Sequence, residues 1–96
     1  MKIQHSLFAL RARTNGLDEI RIAVAAPRSL GRAVVRNRSR RRLREAFRSA
    51  IGDLASGPGC DIVIVARPHT ASVVFADLRK AAATALGSVA ERAAAT

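Results

Sequence analysis

Arg28, Arg32, Arg36, Arg38, Arg40, Arg41, Arg42, Arg44 and Arg48 fall within twenty-one residues whose only acid is Glu45. Guanidinium groups fork onto phosphate oxygens and stack on planar rings. The chemistry on offer is therefore recognition of a polyanion rather than making or breaking bonds. Nine bases against one acid place +8 of the chain's total +10 in this segment, and the remaining eight bases and six acids sum to +2.

A charge run is ordinarily a solvated helix face. Two arguments favour a binding face here. Arg36 and Arg40 project at wheel angles inside the apolar stripe of the same helix, so its first turns cannot lie flat on a core and should protrude. Arginines also recur four apart at 36/40, 38/42, 40/44 and 44/48, and like-charge pairs at that spacing cost about 0.2–0.5 kcal/mol each. Cations at a helix N-terminus further oppose the helix dipole. Bound phosphates reverse both penalties and satisfy free N–H groups at the helix start. An interfacial membrane helix would need this helix's apolar face for lipid, but a core needs it first.

Catalytic groups are sparse. His5 and His69 have no acid at a spacing that suggests a pair for phosphodiester chemistry, and Asp61 reads as the start of a strand. Cys60 is the single cysteine, which excludes an intramolecular disulfide and a cysteine-rich zinc site. With three Phe and no Trp or Tyr, candidates for stacking on bases are few. Phe47 and Phe75 lie on helix core stripes. Phe8 shares a strand face with Leu10 and has two readings, core or wall of a cleft for single-stranded nucleic acid, with Arg11, Arg13 and Arg21 able to flank it.

The elements that must position these groups follow from periodicity. Lys2 to Ala12 reads as one strand. Asn15-Gly16 supplies a tight turn, and Glu19 to Ala26 alternates as a second strand stopped by Pro27, so the two should form an antiparallel hairpin. A helix runs from about Ala33 to Leu54 on the stripe Val35, Leu43, Ala46, Phe47, Ala50, Ile51 and Leu54, ended by Gly52 and Ser56-Gly57-Pro58-Gly59. Asp61 to Ala66 is a continuous apolar run, expected as a strand buried on both faces. Phe75, Leu78, Ala82, Leu86 and Val89 mark a final amphipathic helix. The order β-β-α-β-α over residues 1–96 is one small α+β domain, a mixed sheet packed with helices. Length 96, 49% hydrophobic and 25% charged residues suit a single globular domain. No apolar run reaches the roughly 18 residues of a membrane span, and His5, Arg11 and Arg13 interrupt any secretory signal. The expectation is a soluble cytoplasmic protein.

Gly31 to Arg48, with Arg36-Asn37-Arg38 followed by Arg40, Arg41 and Arg44, closely resembles the signature helix of the bacterial ribonuclease P protein. Asp61 to Pro68 is similar to that family's strand after the helix. The resemblance covers about Ile3 to Ala90. It implies an accessory protein subunit of an endoribonuclease, with catalysis in the RNA subunit, Mg²⁺ held by that RNA, and no catalytic residue or metal in this chain. It implies that Arg28, Arg32, Arg36, Asn37, Arg38, Arg40, Arg41 and Arg44 bind the ribonuclease P RNA. The 5′ leader of precursor tRNA would lie in a cleft near Phe8, Arg11 and Arg21. A left-handed β-α-β crossover and a four-stranded sheet are implied too, the fourth strand being a segment the periodicity does not place. Ser39 replaces a usual aliphatic residue, Pro27-Arg28-Ser29-Leu30 replaces a more lysine-rich loop, and the chain is expected to be truncated at the N-terminus, without the family's first helix. The protein alone is expected to be monomeric and to have no membrane partner. A ribosomal or general structured-RNA-binding protein using the same helix is the alternative. A major-groove DNA reader ranks third, since only Asn37 and Ser39 could read bases among the arginines.

Overall fold

Alternation of apolar and polar residues dictates a sheet with one face for a core, and helices cover that face. The computed structural model describes residues 1–54 and 59–95. Three strands, β1 (Lys2–Gln4), β2 (Phe8–Thr14) and β3 (Arg21–Ala25), precede helix α1 (Ala33–Gly52), and strand β4 (Cys60–Ala66) and helix α2 (Phe75–Ala95) follow it. One-turn 3-10 helices at Arg28–Leu30 and Pro68–Ala71 lead into α1 and α2. The sheet order is β1-β2-β4-β3, with β3 parallel to β4 and the other pairs antiparallel. This is the expected α+β class with a mixed sheet.

Three expectations are corrected. The first strand is two strands. The chain folds back at residues 5–7, where the His5 amide donates to the Phe8 carbonyl (3.0 Å) and His5 Nδ1 accepts from the Leu7 amide (3.0 Å). The imidazole does the work an Asn or Asp side chain does in most such turns, so no Gly, Asn or Pro announces the bend. This supplies the fourth strand.

The expected β2–β3 hairpin does not form, because β4 lies between the two strands. The connection after Gly16 (φ +73) clips over the start of β4 instead. Gly59 donates to the Leu17 carbonyl (2.9 Å) and accepts from the Asn15 amide (3.2 Å). A Cβ on Gly59 would collide with the Leu17 and Glu19 carbonyl oxygens and the Asn15 side chain, so only glycine permits this approach.

Finally, β4 is buried on one face, not both. Cys60, Ile62, Ile64 and Ala66 are buried, whereas Val63 is 45% exposed. Both helices pack on the same side, so the opposite face of the sheet is open.

The core unites Phe8, Leu10 and Ala12 of β2 with Ile62 and Ile64 of β4, Leu43, Ala46, Phe47 and Ala50 of α1, and Leu78, Ala82, Ala85, Leu86 and Val89 of α2. Of the predicted stripes, Leu43, Ala46, Phe47 and Ala50 of α1 and Leu78, Ala82, Leu86 and Val89 of α2 are buried, whereas Ile51, Leu54 and Phe75 are partly buried and Val35 lies outside the core. Helix α1 ends at Gly52, two residues before the expected Leu54. The Ser56-Gly57-Pro58 punctuation lies outside the described residues. Buried Thr70 closes one end: its hydroxyl donates to the Leu7 carbonyl (2.6 Å) and accepts from the Arg67 amide (2.9 Å).

Phe8 sits at the centre of this core. It has no exposed surface, meets Phe47 edge to face with ring centroids 5.2 Å apart, and is stacked by His5 at 5.1 Å. Phe8→Ala should destabilise the domain by about 3–5 kcal/mol, the usual cost of a buried Phe truncation. Urea unfolding measures this, and a loss under about 1 kcal/mol would contradict the assignment.

Candidate nucleic-acid interface

Helix α1 buries a narrow stripe and leaves the rest of its circumference to arginine. Its N-cap is Arg32, with no side-chain capping bond and no acid in the first turn. The first turn's amides therefore face outward without partners, beside Gly31, whose φ of +107 only glycine tolerates. Arg32, Asn37, Arg38, Arg41 and Arg44 are exposed, as is Arg28 in the preceding 3-10 turn. Asn37, Arg41, Arg44 and Arg48 succeed one another at spacings of four, three and four, which places them along one flank. None of these arginines forms an ion pair among the described residues.

The expected protrusion is confined to the first turn, where Val34 is 74% exposed. Arg36 is half-buried, with Nε 3.4 Å from the Ala26 carbonyl it donates to. Arg40 is half-buried and donates to Asn37 Oδ1 (3.2 Å). Ser39 is buried and returns its hydroxyl to the Val35 carbonyl (2.9 Å), so a polar residue occupies an aliphatic position without an unmet hydrogen bond. Arg42 has turned away from this flank. It donates to the Val73 carbonyl and lies 5.6 Å over the Phe75 ring, fastening α1 to the start of α2. Ser49, on the same side, accepts from Arg79 (3.1 Å). The arginine flank is therefore the one away from α2.

The second candidate region is the open face of the sheet. The register sets out three rows across it. Arg13, Asp61 and Arg21 form one, Lys2, Arg11, Val63 and Ala23 the next, and Gln4, Ala9, Val65 and Ala25 the third. The first two rows line a groove of about 530 Å³. Arg11 is exposed on this face, as expected. Phe8 is not there: alternation turns it into the core, which corrects its placement in a cleft. None of the three phenylalanines reaches the groove lining. Lys2 on this face was not singled out from the sequence, and the cross-strand register is the signal that would have found it.

Arg21 is on the face but engaged. Its Nε and Nη2 donate to the two Asp61 carboxylate oxygens at 2.8 and 3.0 Å. Asn15 Nδ2 donates to the same carboxylate (3.0 Å). The Arg21 hydrogen bond, then that of Asn15, holds Asp61 down at about 2 from an ordinary 3.8, and the hydrogen bond and charge of Asp61 raise Arg21. Asp61 thus ties β4 to β3 and to the end of β2. Among the described residues no group of three His, Cys, Asp or Glu side chains could hold a metal ion, and no helix is long and apolar enough to cross a membrane.

Fold and site together define a small α+β protein that presents one uncapped arginine helix beside a mixed sheet with a bare face. A family model described as Ribonuclease P matches residues 1–90. The ribonuclease P protein component of Ruegeria pomeroyi is 45% identical over 69 residues, 67% of this chain and 54% of that protein. The Caulobacter vibrioides protein component is 40% identical over 81 residues, 84% of this chain and 54% of that one. The RNase P protein from Thermotoga maritima superposes with a TM-score of 0.73 at 29% identity, covering 96% of this chain and 82% of its own. The chain belongs to the ribonuclease P protein family. It spans about half the length of the curated relatives it matches.

Because the folded Asp61 pKa lies below its unfolded value, its contribution to stability is present above about pH 4 and is lost as pH falls through about 2. Asp61→Asn should therefore lower stability at pH 7, and the gap to wild type should close between pH 4 and pH 2. Urea midpoints measured across that range check this. A gap that stays constant would remove the ion pair as its source.

Proposed function

We propose that this chain is the protein subunit of ribonuclease P, assisting a catalytic RNA in cutting precursor tRNA to its mature 5′ end. The observation that carries the reading is the unpaired arginine flank of α1, with Arg36-Asn37-Arg38 at its uncapped start, in a member of this family. In this reading Arg28, Arg32, Arg36, Asn37, Arg38, Arg40, Arg41 and Arg44 meet phosphates of the ribonuclease P RNA. Exposed first-turn amides add donors, and neutralised phosphates relieve the arginine repulsion. The precursor's single-stranded leader lies on the open sheet face across Arg11. Here the bases rest on aliphatic side chains rather than on Phe8.

The chemistry belongs to the RNA with its Mg²⁺. The protein supplies positive charge that lowers the Mg²⁺ needed to assemble RNA and substrate. His5 completes a turn and Asp61 holds Arg21, while His69 is exposed in the 3-10 turn.

Reconstitution tests the reading. Added to a bacterial ribonuclease P RNA and precursor tRNA at low Mg²⁺, the protein should restore cleavage at the 5′ position. No stimulation with a folded protein would contradict it. Arg38 and Arg41 are exposed and free of ion pairs, so replacing both by Ala should leave the fold intact. The slope of log affinity for the RNA against log salt should become shallower by roughly 1.4–1.8, the counterions released at two phosphates. An unchanged slope would remove them from the interface.

A further inference from the structure

The open sheet face is not uniformly basic, and the register shows why. Arg13 and Arg21 stand on either side of Asp61 in one row. The carboxylate closes on Arg21 with two hydrogen bonds, while Arg13 makes none with it. Arg11 stands directly opposite Lys2 on β1, a like-charge cross-strand pair that opposes folding unless an anion lies over it. Lys2, Arg11 and Arg13 are exposed and form no ion pair among the described residues, Arg13 acting on Asp61 only through its charge. On the β4–β3 half, by contrast, the face offers Val63, Ala23, Ala25 and a neutralised ion pair. Charge is therefore concentrated along β1 and β2, and the other half of the face is aliphatic.

We propose that Asp61 is a specificity-determining residue of this face: by occupying Arg21 it confines phosphate binding to Lys2, Arg11 and Arg13 and leaves the β4–β3 half as an uncharged shelf for bases. The inference rests on the reading that a single-stranded leader lies on this face. A single strand has its charge on one edge and its bases on the other. Such a polarised surface fixes which edge faces which strand, whereas a uniformly basic sheet would accept either orientation. A duplex, with phosphates on both outer edges, matches the face less well. Asn15 supports the arrangement. Its amide donates to Asp61 Oδ1 from the β2 side, the oxygen that also accepts from Arg21 Nε.

The test uses the reconstituted holoenzyme and the ratio of its affinities for precursor and mature tRNA, measured across a salt series. Contacts between α1 and the RNA subunit are common to both substrates and cancel in this ratio. Each phosphate contact on a single strand contributes about 0.7 to the salt slope. Arg11→Gln with Arg13→Gln should make the slope of the ratio shallower by about 1.4. Asp61→Asn, which frees Arg21, should make it steeper by about 0.7. The double variant Asp61→Asn with Arg21→Gln, which replaces one neutral pair by another, should return it to the wild-type value. Arg11 and Arg13 are exposed, so the first variant remains informative even where Asp61→Asn loses its fold.

A wild-type ratio of one would overturn both the leader reading and this inference. With wild-type discrimination present, a slope that a folded Asp61→Asn variant leaves unchanged would overturn the inference alone, and so would either of two further results. One is a slope flattened by the Asp61–Arg21 double variant, which would make Arg21 a phosphate contact. The other is a slope unmoved by Arg11→Gln with Arg13→Gln.

Discussion

Both helices pack on one face of the sheet, and most of the molecule's surface chemistry follows from that constraint. A core shared by two helices and four short strands consumes the large apolar side chains. Phe8 and Phe47 meet at its centre, and Phe75 is covered by Arg42. Among the described residues no helix covers the opposite sheet face, which is built from small aliphatic and charged residues. Insertion of β4 between β2 and β3 makes the arrangement possible, because β4 contributes Ile62 and Ile64 to the core and Asp61, Val63 and Val65 to the open face. Gly59 and Asn15 hold that insertion in place from the loop that the strand passes beneath.

Charge is distributed by the same logic. Arginines that bond to carbonyl or carboxylate groups, such as Arg42 and Arg21, fasten elements together. Arg41, Arg44 and Arg48 on the α1 flank away from α2, and Arg11 and Arg13 on the β1–β2 half of the open face, form no ion pair among the described residues. In each place like charges are neighbours by helix spacing or by strand register. In the proposed function, phosphates are the partners that turn this repulsion into affinity, and that affinity is expected to fall with salt.

Much of this was legible in the sequence, for physical reasons that differ by element. Both helices were, because their apolar residues recur at three and four over five turns. The concentration of arginines on α1 was also legible, and the structure leaves most of them exposed. Topology was harder. A period-two pattern places residues on faces but does not choose a neighbour, so β2 and β3 looked like a hairpin although β4 separates them. The bend at residues 5–7 was hidden because a histidine side chain, not a glycine or asparagine, completes it. The apolar run of β4 suggested burial on two faces, yet valine and alanine also tolerate a half-exposed sheet. Phe8 illustrates the limit at the site: its strand face was correctly shared with Leu10, and only the side chosen by the helices decides between core and cleft. Arg21 had no local sign of its partner, which lies forty residues away.

The central claim is that two separate arginine surfaces serve two RNAs. The most direct measurement is chemical protection of individual arginines by an arginine-directed dicarbonyl reagent, read by mass spectrometry. The ribonuclease P RNA alone should shield Arg32, Arg38, Arg41 and Arg44 and leave Arg11 and Arg13 reactive. Adding precursor tRNA with a leader should then shield Arg11 and Arg13 as well, which mature tRNA should not do. Shielding of Arg11 and Arg13 by the RNA alone, with the α1 arginines still reactive, would contradict the account.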